Sequence, residues 1–334
     1  LAVIMNAFVY DDGQAYFDVN DGRVSFAPIS PAWRAGLTYA HALFAKGLLN
    51  TEIFTQTVGQ LTTAADANKV GIIEAPSPTD FVSGYGVGTE WRNWTTTLPV
   101  LRGPHGVAWA RFAGNQPFGE TFAVANKATP SQIIATMKRL NFMYTPTGQQ
   151  IEDFGPAGVF WSPATRGQKG LTGRQALFNT DWNKFYGVVT PQNEGWNTMG
   201  PMFQSRVWRD GGVALPPNSP DGSQSLLQLQ TELHHMGHQP KEVFPGVLWV
   251  PPTQAQPLAL DETSITDYVL QWQADFVTGA KPLSKWHSYA AGLTHLGLQQ
   301  YVGLAQKYMG KPFHSIVSVV AARDTVSRAA ALTR

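Results

Sequence analysis

Apolar residues recur along this chain in two rhythms. Over residues 16–26 they alternate: AYFDV, the turn Asn20-Asp21-Gly22, then RVSF. That alternation predicts a β-hairpin closed by a tight turn. At Ser30-Pro31 the period changes. A serine hydroxyl accepts from the free N–H groups of a first helical turn, and proline fits the first helical position, so the pair predicts a helix start. Trp33, Leu37, Ala40 and Phe44 follow at helical spacing, and Gly47 marks the stop. A second helix is expected over about residues 54–67, followed by a buried strand in KVGIIEA, residues 69–75. Residues 120–126, ETFAVAN, predict a further strand. Thr129-Pro130 then opens a helix with Ile133, Ile134, Met137 and Leu140 on one face. Near the C-terminus Ile265, Val269, Trp272 and Phe276 form a stripe that Gly279 closes. Ser284 is expected to cap a helix running to His295, and a third helix spans about 298–308. The stripes through Trp33/Leu37 and Trp272/Phe276 are assigned to the core. Residues 76–115 are rich in Gly, Pro and Trp and lack a period, so loops with short strands are expected there; residues 148–257 are dominated by turn residues and isolated aromatics, and so long an irregular region in a compact protein is usually functional. Helices mixed with short strands point to the α/β class.

Composition narrows the partners. At 334 residues the chain is long enough for two lobes. Only 14% of residues are charged, against a usual ~25%. Aromatics are prominent instead, with 11 Trp, whose flat apolar face and polar edge suit contact with a sugar ring, a protein or the chain's own core. A net charge of +1 and the lack of a Lys/Arg run argue against nucleic acid. With no cysteine, disulfides, thiolate catalysis and Cys-ligated zinc are excluded. No run reaches the ~18 apolar residues of a membrane span. The opening LAVIMNAFVYDDG has no basic region or cleavage site, so a start inside a longer protein is expected.

Five segments, in order, resemble one family. WRAGLTYAHALFAKGLLNTEIFTQ carries a helix, a short spacer, then Gly-Leu and an acidic residue before Phe-Thr. LPVLRGPHGVAWA, the run over residues 122–148, FGPAGVFW, and the closing helices from ITDYVLQWQADFVTGAKPLSKW to QKYM complete the set. Together they resemble the family 1 extracellular solute-binding proteins, in the large lipoprotein branch that serves oligosaccharide ABC importers, over residues 3 to about 309. The resemblance implies an α/β, two-lobed, periplasmic-binding-protein-like (Venus-flytrap) fold, incomplete at the N-terminus by roughly 200 residues. It implies a second-lobe segment at 1–115 and a crossover strand and helix returning to the first lobe at 116–175. An aromatic-rich cleft region at 176–258, C-terminal helices at 259–311 and an unassigned tail at 312–334 follow. It implies capture without chemistry: no enzyme, no cofactor, an oligosaccharide ligand, a membrane permease as partner, and the missing N-terminal portion as a further segment. The implied location is extracellular, lipid-anchored at the cell surface or periplasmic.

Such capture needs aromatic platforms and polar groups that satisfy hydroxyls. The candidates lie in the irregular segments. Tyr85, Trp91, Arg92 and Trp94 occur in GYGVGTEWRNW, Trp161 in FGPAGVFW, and Glu194, Trp196 and Asn197 in PQNEGWNTMG, with Arg206 and Trp208 beyond. Each has a packed-loop reading beside the ligand reading. Gly84-x-Gly86-x-Gly88 is not a dinucleotide fingerprint, because Thr89 stands where the third glycine is needed. Asp11, Asp12, Asp18 and Asp21 read as turn residues, since the calcium-loop spacing is absent. His234, His235 and His238 make an incomplete metal set. No G-x-S-x-G, H-E-x-x-H or P-loop is present. A glycoside hydrolase built on a pair among Asp153, Asp181 and Glu194 is the alternative reading. A surface protein-interaction module is the third.

Overall fold

The computed structural model describes residues 1–75, 80–83, 90–112, 123–182, 184, 206–246, 248–310 and 313–314. In chain order its elements are α1 (Ala2–Met5), β1 (Phe17–Asn20), β2 (Arg23–Phe26), α2 (Pro31–Ala45), α3 (Val58–Asp66), α4 (Pro130–Met143) and α5 (Pro146–Phe154). There follow β3 (Trp161–Pro163), β4 (Phe178–Thr180), α6 (Arg206–Arg209), α7 (Pro220–His235), β5 (Glu242–Val243), α8 (Pro252–Thr278), α9 (Trp286–His295), α10 (Leu298–Tyr308) and β6 (Phe313–His314). The strands pair antiparallel as β1-β2, β3-β4 and β5-β6. The chain divides into two compact units, Leu1–Gln116 with Leu227–Ala322 and Pro117–Leu226 with Arg323–Arg334.

In the first unit the hairpin forms as its alternation requires. Asp21 (φ +49°) and Gly22 (φ +71°) both take left-handed backbone, the twist that a two-residue hairpin turn needs. Phe17 pairs with Phe26, and both rings go inward. Ser30 Oγ accepts from the Trp33 N–H at 3.1 Å and starts α2. Its stripe of Trp33, Leu37 and Ala40 is buried against Ile265, Val269 and Phe276 of α8, with Tyr289 and Leu293 of α9 and Tyr301 and Ala305 of α10 closing the core. Tyr268 and Tyr289 stack at 5.8 Å and 5°. Each of these large side chains contributes about 1.5–3 kcal/mol through removal from water. Lys281 bonds Asp275 at 2.7 Å and lies 4.0 Å from the Trp272 ring centroid, tying down the turn after α8. Gly279 (φ +83°) terminates that helix.

Asp11 and Asp12 act as turn residues. Asp11 accepts from Gly13 N, and Asp12 from Gln14 N and Tyr16 N. Residues 94–112 run without a strand partner among the described residues. They are held at single points: Trp109 N–H donates to Asn6 O, Ala110 N–H to His238 O, and Tyr10 Oη–H to Phe112 O. Gly103 packs so tightly on the Ala7 carbonyl that an added Cβ would lie 1.7 Å from its oxygen.

In the second unit α4 and α5 form a helical pair. Thr129 and Gln132 make a reciprocal cap on α4, and Thr145 Oγ1 accepts from Gly148 N at 3.0 Å to start α5. Phe154, Phe160, Trp161 and Phe178 form this unit's core.

Several expectations are corrected. Residues 69–75 are irregular, and Ile72 is 70% exposed, because no neighbouring described strand supplies ladder bonds. Residues 123–126 of the second expected strand are irregular too, and 120–122 lie outside the described residues. The helix expected from 54 begins at Val58, where Thr57 and Gln60 supply the cap. Ser284 does not cap α9; it sits inside a short 3₁₀ turn, Leu283–Lys285. The region 148–257 is not uniformly irregular, since it contains the 16-residue α7. The helix expected from Thr129-Pro130 forms as α4, with Ile133, Ile134 and Met137 exposed.

Candidate functional site

Aromatic and polar side chains converge in the second unit. Gln150, fully buried on α5, donates from Nε2 to Thr180 Oγ1 of β4 at 3.3 Å, and its Oε1 accepts from Trp208 Nε1 of α6 at 3.0 Å. A buried amide must be satisfied on both ends, so this pair of bonds fixes the Trp208 indole relative to the strands. Trp208 lies 6.0 Å from Phe178 at 36°, and Phe178 meets Trp161 edge-on at 6.5 Å. Trp182, just after β4, stands perpendicular to Phe154 at 5.4 Å. Trp182 and Trp208 are half-buried, the first packed on Phe154 and the second bonded through its Nε1, and both keep some surface in solvent. An indole held in this way offers a flat apolar face beside a polar edge.

Trp161 is 9% exposed, with its Nε1 donating to Gly155 O at 2.8 Å, so it is a core ring and not the open face expected of it. Gly155 takes φ +72°, which lets α5 end and turn its carbonyl toward that indole. Arg206 opens the same short helix as Trp208. Asp181 Oδ1 accepts from Lys184 N at 3.0 Å, and Asp153 is half-buried on α5. The structure thus brings Trp161 and Trp208 together around Phe178. Glu194, Trp196 and Asn197 lie outside the described residues, as does Tyr85. Gln150 and Trp182 were missed from sequence: one of two adjacent glutamines in a polar helix and a Trp after Asp carry no local mark.

The remaining nominated residues belong to the first unit. Trp91 is 5% exposed and packs with Ala65, Phe81 and Val82. Trp94 meets Phe81 edge-on at 4.8 Å, and the exposed Arg92 guanidinium lies 5.3 Å from the Trp91 ring centroid. Here Trp91 is a core anchor that presents Arg92 to solvent. In the same unit a cavity of about 290 Å³ is lined mainly by Ala7, Phe8, Ala32, Ala35 and Val107 and holds none of the nominated residues.

The histidines serve as structural polar groups. His234 Nδ1 shares a hydrogen bond with Thr97 Oγ1 at 3.1 Å, and His238 Nδ1 with Ala108 O at 2.9 Å. Burial, then the neighbouring His234 and His238, hold the His235 imidazole below its usual range. Among the described residues no group of three or more His, Cys, Asp or Glu is arranged to hold a metal. No described helix is long and apolar enough to cross a membrane.

No family model matches the chain, and no curated protein matches it. Solved structures do. An HMO-binding, ABC-transporter-associated solute-binding protein of Bifidobacterium longum infantis superposes at a TM-score of 0.63 with 17% identity over 92% of this chain. The fold is that of a solute-binding protein. A second extracellular solute-binding protein from Bifidobacterium longum subsp. infantis gives 0.60 at 14% identity. The S. pneumoniae ABC-transporter substrate-binding protein FusA, in complex with kestose, gives 0.57 at 17%. In all three the match covers 60% of the known chain, so this chain spans about three-fifths of their length.

Proposed function

We propose that this chain is the larger part of an extracellular solute-binding protein that captures an oligosaccharide and hands it unchanged to the membrane permease of an ABC importer. The observation that carries the proposal is the solute-binding fold, matched over 92% of the chain. The half-buried Trp182 and Trp208, locked by Phe154 and Gln150, support a carbohydrate ligand. Rigid aromatic faces stack on sugar rings with little loss of side-chain entropy on binding. Tyr85, Arg92, Trp94, Glu194, Trp196, Asn197 and Arg206 are the further contacts proposed. Trp91 and Trp161 act behind them as positioning residues, in keeping with their burial.

Calorimetry on the polypeptide from the complete open reading frame, with kestose, longer fructans and neutral, acidic and amino oligosaccharides, tests this. One sugar class should bind at 1:1 stoichiometry. Trp182→Ala should weaken it about 10- to 100-fold, the usual loss for a central aromatic anchor. Silence across the whole panel would reject the proposal.

A further inference from the structure

The hydrogen bond between Gln150 and Trp208 has only one workable polarity. An indole nitrogen donates and cannot accept, so Gln150 must present its Oε1 to Trp208 Nε1, 3.0 Å away. Its Nε2 then faces Thr180 Oγ1 at 3.3 Å, and that hydroxyl accepts. Gln150 is fully buried and Thr180 is 9% exposed, so the amide has no bulk water to fall back on. Thr180 therefore decides which way the amide points. Without an acceptor there the NH₂ loses its partner, and turning the amide over would set two donors face to face at Trp208.

The three residues come from three elements: Thr180 from β4, Gln150 from α5 and Trp208 from α6. At four residues α6 is too short to hold its own geometry, so the indole takes its orientation from side-chain contacts, the Gln150 bond and the Phe178 ring at 6.0 Å among them. We propose that Gln150 and Thr180 are positioning residues that set the ligand affinity of this site, acting through Trp208 and without touching the ligand themselves. This rests on the carbohydrate-capture reading above and adds to it two buried residues 30 positions apart. The means is preorganisation: an indole fixed before binding spares the cost of immobilising one side chain, a difference of about 3- to 10-fold in affinity.

The test uses the complete polypeptide with nitrogen-15 at every tryptophan indole, and kestose, longer fructans and neutral, acidic and amino oligosaccharides as probes. Trp208→Phe assigns the Trp208 N–H signal by its disappearance. In Gln150→Met and in Thr180→Val that N–H should exchange with solvent about tenfold faster than in wild type, the scale of one lost hydrogen bond. The sugar that wild type binds should bind both variants about 3- to 10-fold more weakly. Thr180→Ser keeps the acceptor and should restore both values. On a Trp208→Phe background Gln150→Met should cause no further loss of affinity, whereas a residue that only supports the fold would lower it equally on both backgrounds. Unchanged N–H exchange in Gln150→Met, or equal losses with and without the indole, would overturn the proposal. A sugar bound equally well by wild type and Gln150→Met would overturn it and leave carbohydrate capture standing. Silence of wild type toward every sugar would reject the capture reading itself, and this proposal with it. If circular dichroism shows that Gln150→Met does not fold, Thr180→Val against Thr180→Ser carries the same test.

Discussion

Replacing Asp11 by Asn should raise stability at neutral pH and leave it unchanged in acid. Asp11 is 2% exposed, and its carboxyl is pushed up from 3.8 to about 6. Burial is the main cause, and the Asp12 charge adds to it. The hydrogen bond from Gly13 N and the charges of the N-terminus and Arg111 pull the other way. The folded-state value therefore lies above the unfolded one. Between about pH 4 and 6 the folded protein holds a proton that the unfolded chain has lost. This group's stabilising contribution is complete below pH 4, declines as pH rises through 6, and is flat beyond. About two pH units at about 1.4 kcal/mol each set an upper bound near 3 kcal/mol. Asn keeps an Oδ1 to accept from Gly13 N but must house an extra NH₂, so about 1–3 kcal/mol at pH 7 is expected. Urea unfolding of both proteins at pH 4, 5, 6, 7 and 8 measures the difference directly. A gap that is constant across this range, or a variant weaker at pH 7 than at pH 4 relative to wild type, would refute the assignment.

Other outcomes follow from single contacts. Ser30→Ala removes the 3.1 Å acceptor from the start of α2 and should cost about 1 kcal/mol in chemical denaturation. Phe276→Ala, in the centre of the first unit's core, should cost about 3–5 kcal/mol and lower Tm correspondingly. Two glycines should respond oppositely to alanine. Gly103→Ala drives a methyl into the Ala7 carbonyl and should prevent this segment from docking. At Gly36 the obstacle is the flexible end of Met5, 2.8 Å away, so Gly36→Ala should remain folded; thermal melts distinguish the two.

What sequence reveals here depends on how local the physics is. The Asn20-Asp21-Gly22 turn, the Ser30-Pro31 start and the Thr129-Pro130 start are decided within a few residues, and each appears in the structure where it was expected. Ser219-Pro220 carries the same signal, with Ser219 Oγ accepting from Gly222 N, but Gln224, Gln228 and Gln230 among and around Leu226, Leu227 and Leu229 blur the stripe that identifies α7. Strands are not local. KVGIIEA has the composition of a strand, but no partner edge lies beside it among the described residues, and composition cannot report a partner. The candidate site has the same difficulty. Gln150 and Trp208 meet across 58 positions, and nothing near either residue announces the other. Helical periodicity placed α4 but not its environment, since an exposed stripe looks the same in sequence as a buried one.

The central claim is capture without conversion, and mass balance tests it most directly. The complete polypeptide is equilibrated by dialysis against the sugar that calorimetry selects, then denatured, and the released carbohydrate is weighed by mass spectrometry. The account predicts one sugar per protein, recovered at its original mass after prolonged incubation. Shortened or transferred products, or no retained sugar at all, would contradict it.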